Sequence, residues 1–289
     1  MISILGSDQV IKSIYMLSRP YLAGAEISTV EQLRSPYLKF LSQHQPRQVL
    51  NNSSDPVAID ESATAALSGA FGHSKFNDLS QENMLGDQVE ADEKLRLKAL
   101  VRDGYAVLAS RSPEVKAIFD LAIHSIFFVK SKTNKRGHNS FGGSSSGAIG
   151  SIWVSGQGDF NKFDISEFLL HELTHHLLFL AERCENQFHY DAIALPENYA
   201  QSAILNYRRP LDKVVHSIVV STEIILARDS FLGNQRVSLH PSTEVMLQQT
   251  ILSIGSVFDL KNLDDLLTPW SIDIVKRCND ILKSCGKAA

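Results

Sequence analysis

The sequence predicts an α+β protein, mainly helical, in which a small β-sheet precedes a metal-binding helix that packs on a second, apolar helix. Three observations predict it. Most of the 289 residues fall into stretches with apolar residues at helical spacing behind recognisable caps. Two runs, Ile123–Lys130 (IHSIFFVK) and Ala148–Ser155 (AIGSIWVS), are short, β-branched and aromatic, as strands are. Directly after them, Phe163–Glu185 carries His171-Glu172-Leu173-Thr174-His175, two histidines four residues apart on a helical pattern.

Taken in order, Ser7–Leu17 is loosely helical and Arg19-Pro20 stops it. Ser28-Thr29-Val30-Glu31 reads as a capping box that opens a helix through about His44, with Leu33, Tyr37, Phe40 and Leu41 as its inner stripe. Gln45–Gln81, rich in Asn, Ser, Asp and Gly, reads as loop around a short helix near Glu61–Gly69. A helix follows over about Val89–Ser110, and Ser112-Pro113-Glu114 starts another with Ser as cap and Pro at the first helical position. Between the two strands, Ser131–Gly147 is a Gly/Ser-rich loop too polar for a core. In the motif helix Asp164 is the expected cap and Glu167 completes its box. Asn186–Asn206 reads as irregular. Arg208-Arg209-Pro210 then opens an apolar helix over Leu211–Asp229, Pro241-Ser242-Thr243 opens another, and Thr268-Pro269 opens the last. The chain divides into a helical part over residues 1–110 and a metal-binding part over 111–289, within one continuous globular unit.

Composition removes several function classes. A net charge of −4 and a pI near 6.2 give no basic field for a phosphate backbone, so nucleic acid is not an expected partner. No run approaches the ~18 apolar residues that a membrane span needs. The opening MISILGSDQVIKSIYML lacks the charged start and long apolar core of a signal peptide, and Cys184, Cys278 and Cys285 form no C-x-x-C pair. The expected address is the cytoplasm.

His171 and His175 project from one helix face about a turn apart, which suits a divalent metal, and Glu172 can reach a water on it. Phe168, Leu178 and Phe179 share that face and set the imidazoles in an apolar wall, where histidines without partners are costly. A catalytic site needs a third ligand. Glu182 lies roughly 10 Å further along the same helix, too far for the same ion. His216 and Glu223 both interrupt the apolar helix over Leu211–Asp229, with His216 the preferred third ligand and Glu223 the alternative. His176 points about 100° away from His175 and is not expected to ligate, and His138 in the polar loop is a candidate substrate contact. From the motif alone, zinc would lower the pKa of a bound water and Glu172 would take its proton for peptide hydrolysis.

The stretch from Phe141 to about Phe231 resembles the HExxH-motif family of peptide-modification enzymes encoded beside small ribosomally made precursor peptides. The matching pieces are Phe141 with Ser144-Ser145-Ser146, then His171–His175, then Arg209-Pro210-Leu211 leading into Val214-Val215-His216. The resemblance implies an iron(II)- and 2-oxoglutarate-dependent dioxygenase, an oxidoreductase that hydroxylates a β-carbon of a precursor peptide. It assigns His171, His175 and His216 to the metal, leaving positions for 2-oxoglutarate and oxygen. Glu172 would then orient a histidine or a water, and Arg209, with Arg208 beside it, would hold the distal carboxylate of 2-oxoglutarate.

Overall fold

A computed structural model describes residues 2–24, 26–71, 84–133, 137, 139–233 and 238–285. The fold is α+β and mainly helical, with a small mixed sheet. Its elements run α1 (Ser7–Ser18), α2 (Arg34–His44), α3 (Glu61–Phe71), β1 (Leu85–Gln88), α4 (Ala91–Arg111), α5 (Pro113–Ala122), β2 (Ser125–Ser131), β3 (Gly142–Ser144), β4 (Ser151–Val154), α6 (Lys162–Cys184), α7 (Tyr190–Ile193), β5 (Ala200–Gln201), β6 (Arg208–Arg209), α8 (Leu211–Ala227), α9 (Thr243–Phe258) and α10 (Pro269–Cys285). Among the described residues no helix is long and apolar enough to cross a membrane.

The chain forms two compact units. A sheet unit comprises Asp8–Ala181, and a helical unit comprises Met1–Ser7 with Glu182–Ala289. Residue 110, where the sequence suggested a division, lies inside the sheet unit near the end of α4.

In the sheet unit the strand order is β1-β2-β4-β3, with β2 and β4 parallel and the two outer pairs antiparallel. The core gathers Phe71, Phe127, Val129, Ala148 and Trp153, whose indole N–H donates to the Val129 carbonyl at 2.7 Å. β2 and β4 are the strands that the β-branched runs predicted, whereas β1 and β3 are edge strands with weak propensity. β3 lies inside the stretch read as loop. Two helix starts also differ from expectation. The box before α2 closes on Gln32 rather than Glu31, because the Gln32 side-chain carbonyl accepts the Ser28 and Thr29 N–H groups at 2.7 and 3.2 Å. The start of α6 is capped by Asn161, which accepts from Phe163 and Asp164, while Asp164 reaches back to the Asn161 N–H at 3.0 Å. Asn161-x-x-Asp164 has the same reciprocal spacing as Asp164-x-x-Glu167, and the upstream pair gains the extra turn. Ser112 caps α5 as expected, accepting from Val115 at 3.3 Å.

In the helical unit α8 is buried almost throughout and packs on α9 and α10. Asn186–Asn206, read as irregular, contains α7 and β5, and β5 pairs with β6 just before α8.

Candidate functional site

α6 places the motif within the sheet unit. The His171 and His175 rings lie 5.0 Å apart between centroids at an interplanar angle of 59°, as a four-residue helical step requires. These two are the partly exposed residues of the motif turn, whereas Glu172, Leu173, Thr174 and His176 are buried. Phe168, Leu178 and Phe179 form the expected apolar wall, and the histidines stand at its rim.

β3 runs beside this turn because its flanks are built for close approach. Phe141, just before the strand, meets Phe168 of α6 edge to face at 4.9 Å. A Cβ on Gly142 would fall 2.2 Å from the Trp153 carbonyl oxygen and 2.6 Å from Cζ of Phe168, so only glycine fits. The strand ends on Ser144, whose side chain neighbours the Glu172 carboxyl and acts to lower its pKa.

Glu172 is 3% exposed, and its Oε1 stands 3.8 Å from Nε2 of His171. Burial pushes its carboxyl up to about 8, against the Ser144 side chain, which acts in the opposite direction. Its Oε2 is buried with no hydrogen-bond partner among the described residues. A buried acceptor left open in this way, beside two imidazoles, fits a water or a metal-bound ligand. Imidazole and carboxylate groups are donor types that divalent metal ions accept.

The helical unit holds the other expected site residues. His216, 4% exposed on α8, directs Nε2 at Oε1 of Glu182 at 2.7 Å, and the Tyr190 hydroxyl donates to Glu182 Oε2 at 2.7 Å. Burial acts to raise the Glu182 carboxyl, but its hydrogen bonds and the His216 charge outweigh burial and hold it below its ordinary value. Arg209 is buried on β6, whose partner β5 is fastened to α9 by the Ser253 hydroxyl donating to the Gln201 carbonyl at 2.6 Å. Arg208 faces solvent, and its Nη2 donates to the Tyr199 carbonyl. Glu223, the alternative third ligand, is buried and accepts the Ser3 and Ile4 N–H groups at 3.0 and 2.6 Å. That engagement gives Glu223 a structural task.

No family model matches the chain, and no curated protein matches it. The likeness to peptide hydroxylases therefore rests on the sequence blocks alone. Among the described residues no three His, Cys, Asp or Glu side chains are gathered to hold a metal ion, so His171 and His175 stand as a pair. His138 lies outside the described residues.

Ser144 as a neighbour of Glu172 was not legible beforehand, because nothing marked Gly142–Ser144 as a strand. Glu182 was legible only as a residue on the motif's face. Its pairing with His216 and Tyr190 depends on packing that spacing does not encode.

Proposed function

We propose that this chain is a metal-dependent enzyme that modifies a peptide, by iron(II)- and 2-oxoglutarate-dependent hydroxylation of a side-chain β-carbon. The observation that carries the metal-dependent part is the His171–His175 pair with Glu172 sunk behind it and Oε2 of Glu172 left open. The edge position of β3 supports an extended peptide as substrate, since an outer strand offers main-chain groups for another strand to pair with. Iron(II) with 2-oxoglutarate and dioxygen would supply the oxidation of an unactivated C–H bond. His171 and His175 would hold the metal, and the resemblance assigns the third position to His216. Its carboxylate partner Glu182 is the kind of group that fixes ligand imidazoles. Buried Arg209 suits the distal carboxylate of 2-oxoglutarate. Glu172, beside His171, orients that ring.

A second reading, zinc-dependent peptide hydrolysis, is favoured by Glu172 itself. A carboxyl held at about 8 is matched to proton transfer near neutral pH, and Glu172 would take the proton of an attacking water. Anaerobic addition of iron(II) and 2-oxoglutarate separates the two. The hydroxylase reading expects a visible charge-transfer band, weakened in His216→Ala and Arg209→Ala. Absence of the band, with peptide cleavage by the zinc-loaded protein that is lost in Glu172→Gln, would transfer the assignment to hydrolysis.

A further inference from the structure

The third histidine of the run, His176, has no part in either chemistry, yet it is fully buried with both ring nitrogens engaged. Its Nδ1 accepts the Gly150 N–H at 3.1 Å, and its Nε2 donates to the Ser151 carbonyl at 3.1 Å. One neutral tautomer satisfies both bonds. The residues it grips are the last of the β3–β4 connection and the first of β4.

His176 lies four residues after Glu172, so the two side chains leave α6 on one face, a turn apart. Glu172 meets Ser144, and His176 meets Gly150 and Ser151. In the hairpin Ser144 pairs with Ile152, the residue after Ser151. One turn of α6 therefore grips the β3–β4 hairpin through His176 and sets Glu172 beside Ser144, one ladder step away.

The connection between those points has little slack. Gln45 accepts the Ile149 N–H at 2.8 Å and donates to the Ser146 carbonyl at 2.6 Å, while Gln48 donates to the Ile149 carbonyl at 3.3 Å. Gly150 has φ +87°, and a Cβ there would sit 2.6 Å from Cδ2 of His124. His124 in turn bonds the Ser125 hydroxyl at 2.8 Å and the Ser151 hydroxyl at 3.4 Å. A histidine that only filled volume would not need two backbone partners at the root of this hairpin.

We infer that His176 is a positioning residue: its two backbone hydrogen bonds set the register between α6 and the β3–β4 hairpin, and so hold Ser144 and edge strand β3 against the His171–Glu172–His175 turn. The inference rests on the reading of that turn as the reactive site.

The test compares full-length His176→Phe and His176→Met, which remove both bonds, with His176→Gln, whose amide offers one donor and one acceptor. Hydrogen exchange should accelerate across residues 142–154 in the apolar variants and return towards wild type in His176→Gln. Cobalt(II) uptake by the His171–His175 pair should be retained in all three. With a substrate peptide, kcat should fall about 10–100-fold in the apolar variants, with KM changed far less, and Gln should recover most of it. Unchanged exchange over 142–154 in both apolar variants, or equal impairment of the Gln variant, overturns the inference. If the wild-type protein turns over no peptide with any metal, the functional reading fails, and the exchange comparison decides the role of His176 alone.

Discussion

Glu172→Gln gives a measurement that depends on few assumptions about the reaction. In the folded chain burial holds the Glu172 carboxyl at about 8, against an ordinary value of 4.5. Between those values the folded carboxyl is protonated and the unfolded one is ionised, so unfolding releases a proton. Stability therefore falls as pH rises through this window, by about 1.4 kcal/mol per pH unit, and levels off above it. Integrated from pH 5 to 7.5, the loss attributable to Glu172 is about 3 kcal/mol, a large share of the ~5–15 kcal/mol that stabilises a typical protein. Glutamine is nearly the same size and never ionises, so the variant lacks this component while every other titrating group is retained. Urea unfolding of chelator-treated protein, with Trp270 replaced by Phe so that Trp153 alone reports on the sheet unit, gives both pH profiles. The expected result is a stability advantage of Glu172→Gln that grows by about 3 kcal/mol over this range. Parallel profiles would show that Glu172 titrates as an ordinary carboxyl, and the argument for a buried, poised acid beside His171 would be wrong.

Other perturbations probe the frame around the site. Burial also lowers His124 and His176 to about 3, so both stay neutral in the folded chain while the unfolded chain protonates them below about 6.5. In the Glu172→Gln background, lowering the pH from 6.5 to 5 should cost the sheet unit about 3 kcal/mol, and unfolding that takes up less than one proton in this range would contradict their burial as neutral rings. Gly104→Ala places a Cβ 2.5 Å from Cγ2 and 3.1 Å from the carbonyl carbon of Ile165, which should force α4 off α6 at a cost of about 1–3 kcal/mol in thermal or urea unfolding. Glu223→Ala strips the Ser3 and Ile4 N–H groups of their acceptor, with an expected loss of about 2–4 kcal/mol and faster exchange at those two amides. Exchange there at the wild-type rate would show that Glu223 does not hold the segment.

The helices were legible because their signals are local. Ser112-Pro113 and Ser242 cap as side chains of their type do, and Leu33, Tyr37, Phe40 and Leu41 bury as a stripe because helical spacing alone puts them on one side. β1 and β3 were not legible, since Leu85–Gln88 and Gly142–Ser144 carry glycine, aspartate and serine, and are strands because β2 and β4 offer them partners. The same limit governed the site. Four-residue spacing was enough to bring His171 beside His175 and to turn His176 away, but the placing of Ser144 beside Glu172 depends on β3 and could not be read without it. Glu223 shows the converse: its spacing allowed a ligand role, and backbone donors 219 and 220 residues distant in sequence occupy it.

That last contact also orders events during synthesis. Residues 2–7 and the helices that receive them are separated by the whole of the sheet unit, whose chain is finished first. At ~5–20 residues per second, Ser3 is made on the order of 10–45 seconds before Glu223. Through that interval the Ser3 and Ile4 N–H groups lack the carboxylate that holds them in the finished fold, where Ile2, Ile4 and Leu5 are buried. The helical unit therefore closes only when its most distant piece comes back to it.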